Sequence, residues 1–245
     1  MQNLISVSVG VADNIMVGSL GEYAVAGVAL ANQVQHILAI LVMGSSASMA
    51  ILCSQYWGKR DTKSIKDVIA ICVKLCLLIG AAINLAVFIA PYWVLRIFSD
   101  SEGAIAEGIK YLRIVSFSYL FFVMTHILMA AMRCVEQVKV ALAVAISTLI
   151  VSVSLNYCLI FGNFGFPALG IRGAAIATLT ARVIETCIMV VYVRFVDQRL
   201  RLRVKEMLSI NRVLLGDFFR YGLPVMGSDV SWGIIGTLKT AMQKI

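Results

Sequence analysis

Hydrophobic residues do not alternate along this chain, nor do they recur once per helical turn. They run in long blocks: 1–20, 29–53, 68–90, 111–132, 140–161, 173–196 and 221–244. A membrane-crossing helix needs about 20 mainly apolar residues, and each block approaches or meets that length. In lipid every backbone polar group must be satisfied within the chain, so blocks of this kind fold as helices. The pattern predicts an all-α polytopic membrane protein, with a six-helix transmembrane bundle and the start of a seventh helix. Six spans are expected over 1–196, a basic connection over 197–220, and a seventh span over 221–245.

Composition agrees. The chain is 60% hydrophobic and 14% charged, against about 25% charged residues in soluble domains. Its net charge of +8 does not signal nucleic acid, because the basic residues gather in alternate connections. Twelve lie in the loops 54–67, 133–139 and 197–220; the opposite connections carry Arg96, Lys110 and Arg172. The positive-inside rule assigns the richer side, and with it the N-terminus, to the cytoplasm of a plasma-membrane protein. The first span lacks a basic lead-in and a small-residue cleavage site, so no cleaved signal peptide is expected. Residues 96–110, mixed apolar and acidic, are expected along the outer interface.

Polar groups inside the spans carry the candidate chemistry. Asp13 and Asn14 lie in the first span. A carboxylate at mid-bilayer costs at least ~2.5 kcal/mol, so it is kept where a partner, proton or ion compensates it. Helical geometry puts only Val9, Gly10, Met16 and Val17 beside Asp13 on its own helix, which requires a partner elsewhere. With further oxygen ligands the same carboxylate suits a hard cation such as Na⁺. Thr148, Ser152 and Asn156, spaced by four on the fifth span, form one polar arc. Thr148 and Ser152 read as helix–helix glue, and Asn156 as a cavity residue. Asn32, Gln33 and His36 form a polar turn in the second span, and Asn32 and His36 are expected to line the cation-coupling cavity with Asp13, Asn14, Asn156 and Ser152. Arg182 and Glu185, three apart on the sixth, read equally as a structural ion pair or as transport residues. Asp229 follows Pro224 in the seventh. His126 stands alone in the fourth.

Other chemistry is excluded or weak. The six cysteines lie in or beside apolar spans and read as apolar filler rather than metal ligands. The chain has no zinc-protease, nucleophile-elbow or phosphate-loop motif, so neither an enzyme nor an ATP-driven pump is expected. No cofactor is expected beyond Na⁺ or H⁺ as a coupling ion.

Four stretches give a family resemblance: Asp13-Asn-Ile-Met-Val-Gly18-Ser-Leu-Gly21; Gln55-Tyr-Trp-Gly58-Lys59-Arg-Asp61; Leu155-Asn156 to Gly162, with Gly165 to Gly170 and Gly173 to Thr178; and Tyr221-Gly-Leu-Pro224. In this order and spacing the chain resembles the multidrug and toxic compound extrusion (MATE) transporters. The resemblance implies twelve helices in two six-helix bundles, and export of drugs or organic cations in exchange for Na⁺ or H⁺. It implies that an acid in the first helix and polar residues of the fifth line a cation-coupling cavity; Asp13 and Asn156 match these positions, and Asp229 is similar to an acid of the seventh helix. Many relatives carry an acid where this chain has Asn156. By the same resemblance the chain is expected to be a fragment, one lobe in which 1–196 is the N-terminal six-helix bundle with its first helix truncated and 221–245 the start of the second, otherwise lacking, C-terminal bundle. Its expected partners are membrane lipid and small amphipathic or cationic substrates, with Phe117, Tyr119 and Met124 offering an apolar surface. The alternative is a lipid-linked oligosaccharide flippase of the same superfamily, which would require a basic cavity. An intramembrane enzyme using His36 or His126, or a non-transporting scaffold, are more distant rivals.

Overall fold

The computed structural model describes residues 10, 11, 13–162, 167–197, 199 and 200, with single positions at 214, 216, 218, 220, 224 and 227. The described residues are helical throughout, joined by short turns. Helix α1 takes in the described residues 10, 11 and 13–18. It is followed by α2 (Glu22–Gly58), α3 (Thr62–Ile89), α4 (Pro91–Arg96), α5 (Glu102–Val115), α6 (Ser118–Cys134), α7 (Val138–Phe161) and α8 (Ile171–Val191), the last continuing into a π turn, Tyr192–Val196. Asp229 and almost all of the basic connection and the seventh span lie outside the described residues. Of the single positions beyond residue 200, Leu214 and Phe218 are buried in the core.

Four helices are long and apolar enough to cross a membrane, and a fifth crossing results if α5 and α6, bent by 57° at their junction, form one span. The described residues thus contain four or five such crossings, against the six expected. The chain's first apolar block enters only as α1. The bent pair also changes the reading of residues 96–110. The chain turns through α4 and then packs as α5 along α2 and α8, so most of this stretch is bundle wall rather than an interfacial strip.

The bend falls at Ser116-Phe117, with no proline or glycine to mark it. A break in the helical ladder leaves carbonyls that lipid cannot satisfy. Side chains take them. Asn84 Nδ2 of α3 donates to the Ser116 carbonyl at 2.7 Å, and Ser118 Oγ donates to the Val115 carbonyl at 2.6 Å. At the start of α3, Asp61 caps the helix through the Ser64 amide at 3.1 Å and hydroxyl at 2.6 Å; these bonds hold its carboxyl below the usual carboxylate range.

Close backbone approach sets the helix positions around the site. Without a hydrophobic force between helices in lipid, association relies on tight packing, and small residues permit it. A methyl group on Gly27 of α2 would fall 2.6 Å from the Gly108 amide nitrogen of α5. Gly173 of α8 lies against the Leu159 carbonyl of α7 just as tightly. The Gly173/Ala177/Ala181 stripe is buried along α8.

Gly27→Ala is expected to force α2 and α5 apart at about 1–3 kcal/mol, the usual cost of overpacking. Thermal unfolding of the purified protein in detergent checks this. Gly80→Ala, which meets only side chains, Val123 at 3.3 Å and Leu120 at 3.7 Å, is expected to shift the midpoint far less.

Candidate functional site

Where α1 meets α7 the two polar signals of the sequence come together. Asn156 Nδ2 donates to Asp13 Oδ1 at 2.5 Å, and Ser152 Oγ approaches the same oxygen at 3.4 Å. The spacing of four puts both on one face of α7, and the register of α7 aims that face at Asp13. The partner Asp13 requires therefore lies on another helix. The Asn156 contact is short and charge-assisted; the Ser152 contact is at the long limit of a hydrogen bond.

Asn156 is 1% exposed, and its carbonyl oxygen Oδ1 has no hydrogen-bond partner among the described residues. A buried acceptor left unmade is costly and identifies a place for a donor or a cation. Asp13 itself is half-buried and faces a cavity of about 200 Å³. Asn32 and Gln35 of α2 line its second side, one turn apart, and Tyr111 of α5 a third. Thr178, Arg182 and Glu185 of α8 close it. The Tyr111 and Thr178 hydroxyls lie 3.4 Å apart. The wall is rich in oxygen donors, as hard cations prefer.

Arg182 Nη1 donates to Glu185 Oε2 at 2.8 Å, with the Glu185 side chain 6% exposed. The guanidinium also stands 5.3 Å over the Phe122 ring of α6, and it attracts Asp13 across the cavity. With Asp13 ionised, the charged wall carries two acids and one base. Behind this pair lies a second cavity of about 790 Å³, formed by α2, α6 and α8. His126 and Arg133 line it, and Arg182 and Glu185 line both cavities.

Of the sequence candidates, Asp13, Asn14, Asn32, Asn156 and Glu185 therefore share one cavity, and Ser152 reaches it through Asp13. His36 is exposed and lines neither cavity. Tyr119, expected on a drug-facing surface, is completely buried instead, because the face of α6 that carries it points into the core. Phe117 is half-exposed and packs edge-on against Phe88. Gln35 and Tyr111 are lining residues the sequence reading missed. The signal for Gln35 was its spacing of three from Asn32; for Tyr111 it was a hydroxyl inside a span, which needs a partner. Among the described residues no group of three metal-ligating side chains occurs, cysteines included.

The MatE family model matches residues 1–158. A Bacillus subtilis protein named Uncharacterized transporter YisQ is 26% identical over 227 residues, covering 92% of this chain and 49% of that protein. A Rhizobium meliloti protein named Probable multidrug resistance protein NorM is 30% identical over 191 residues, covering 78% of this chain and 41% of that protein. Among solved structures, the outward-facing conformation of a multidrug resistance MATE family transporter of the MOP superfamily matches with a TM-score of 0.82 at 22% identity, over 95% of this chain and 51% of that one. A MOP superfamily transporter from Pyrococcus furiosus matches equally well, with a TM-score of 0.82 at 22% identity. The chain spans about half the length of the curated relatives it matches.

Asn156→Ala is expected to release α1 from α7. Loss of a charge-assisted hydrogen bond costs about 2 kcal/mol, roughly thirty-fold in local opening. Hydrogen exchange across residues 13–18 should accelerate accordingly, whereas Ser152→Ala should change it little.

Proposed function

The chain belongs to the MatE family of membrane transporters, and from that premise we propose that it is the N-terminal half of a secondary active efflux transporter. Members of this family are transporters rather than enzymes. The proposed activity is export of amphipathic, drug-like molecules in exchange for Na⁺ or H⁺. The relatives described as multidrug resistance proteins support it. Transport requires two halves moving around a shared site, so the partner in this reading is a second six-helix bundle, joined through the basic connection 197–220. That connection and the N-terminus face the cytoplasm of the cell membrane, in keeping with the bias of basic residues.

Asp13 holds the coupling cation in this account. The observation that carries it is the pairing of a lipid-embedded carboxylate with Asn156, whose carbonyl oxygen is buried and unpartnered beside it. Together with the Thr178 and Tyr111 hydroxyls these oxygens fit a hard cation, and the carboxylate alone accommodates a proton. Asn14 and Asn32 supply further polar lining. The flippase alternative is not favoured. It needs a basic cavity, and the charge of Arg182 is taken up by Glu185.

In the full-length transporter, Asp13→Asn is expected to abolish both drug efflux and its dependence on the cation gradient. Efflux of a fluorescent dye from cells, with and without an imposed Na⁺ or proton gradient, measures this. Survival of gradient-driven efflux in the variant contradicts the coupling role.

A further inference from the structure

The Arg182–Glu185 pair is more than a self-neutralising decoration of α8. It forms part of the wall between the two cavities, and Arg182 is the only basic side chain among the described residues that lines the Asp13 cavity. The groups facing Asp13 can be counted helix by helix. From α8 come Thr178, Arg182 and Glu185, and from α5 Tyr111; the contributions of α2, α6 and α7 are uncharged, among them Asn32, Gln35, Met129, Thr148, Ser152 and Asn156. Two carboxylates thus share one tethered cation. The second carboxylate, Glu185, is nearly inaccessible to solvent, so leaving either acid ionised and unpaired in this setting is costly.

We infer that Arg182 is a tethered counter-cation that exchanges between Glu185 and Asp13, competing at Asp13 with the coupling ion. This rests on the reading of Asp13 as the cation site. The charge balance dictates the exchange. With a cation on Asp13 and Arg182 on Glu185, both acids are neutralised. When the cation leaves, one negative charge remains, and Arg182 decides where it sits. A guanidinium on a long, flexible stem can reorient within one cavity; Asp13 and Arg182 line the same one, and opposite charges across it attract. Glu185 is then the uncompensated acid, and Glu185 also faces the second cavity. Movement of one side chain transfers the vacant cation site from the Asp13 cavity to the wall of the other. The vacancy changes sides without both cavities opening to each other. Glu185 is on this account a second, alternately exposed cation-accepting group, and Arg182 a positioning residue for the coupling ion.

The test turns on sign. Cation binding is measured on the full-length transporter in lipid nanodiscs, by calorimetric titration with Na⁺ at alkaline pH and by proton uptake in Na⁺-free buffer. The cation whose binding Asp13→Asn removes is the informative one. Arg182→Gln removes the competitor, so affinity should rise about tenfold, the order expected for one charge across a partly screened cavity. Glu185→Gln leaves Arg182 only Asp13 to pair with, so affinity should fall by a similar factor. In the double variant the loss should vanish, and affinity should match that of Arg182→Gln. Arg182→Lys, which keeps the charge, should stay close to wild type. A pair that never exchanges acts on Asp13 through its field alone: Arg182→Gln still strengthens and Glu185→Gln still weakens binding, but the two effects cancel and the double variant returns to the wild-type affinity; that result, or a loss in both single variants, overturns the inference. Equal affinity in all four variants overturns it too, while Asp13 keeps its role if Asp13→Asn still abolishes binding. If Asp13→Asn leaves cation binding intact, the Asp13 reading fails and this inference with it.

Discussion

A carboxylate in a membrane-embedded bundle, held by one amide, is the constraint around which this structure is arranged. Solvation by water is what Asp13 gives up inside the bundle, at a cost of at least ~2.5 kcal/mol. The Asn156 amide returns part of it. The remaining demand is expressed in the walls: hydroxyls and amides from α2, α5, α7 and α8, and a guanidinium shared with a second acid. Each of these groups would be unfavourable in lipid on its own. Around one cavity some of them pair, Asp13 with Asn156 and Arg182 with Glu185, and the buried Asn156 carbonyl oxygen has no hydrogen-bond partner among the described residues.

The helices serve this arrangement by how closely they approach. Gly27 against Gly108 brings α2 and α5 together, and Gly173 against Leu159 does the same for α7 and α8. These contacts fix which faces of α2, α5, α7 and α8 surround Asp13. The bend between α5 and α6 has a similar effect. It lets one apolar stretch contribute Tyr111 to the Asp13 cavity from its first half, and from its second half Phe122, His126 and Arg133 to the other cavity.

Much of this was legible in the amino-acid sequence, for definable reasons. Blocks of apolar residues announce membrane helices because lipid allows few alternatives. An acid inside such a block stands out because its cost is large, and the four-residue spacing of Thr148, Ser152 and Asn156 survives as one face of α7. Other features were hidden. The bend at Ser116-Phe117 has no proline or glycine, and its carbonyls are rescued by Asn84, a residue 32 positions away. The polarity of Tyr111 is masked by its ring. Tyr119 was misjudged because composition says that an aromatic group is present, but helix rotation, set by packing, decides what it faces. The doubling of Arg182 and Glu185 as the wall of two cavities is a property of three helices at once, and no local pattern carries it.

The central claim is that the Asp13 carboxyl exchanges its coupling cation as the transporter works. Infrared difference spectroscopy of the full-length protein in lipid tests it most directly, by comparing spectra with and without Na⁺ and across a pH step. The account predicts a carboxyl band that responds to the cation and disappears in Asp13→Asn. A difference spectrum identical in the wild type and the variant would contradict it.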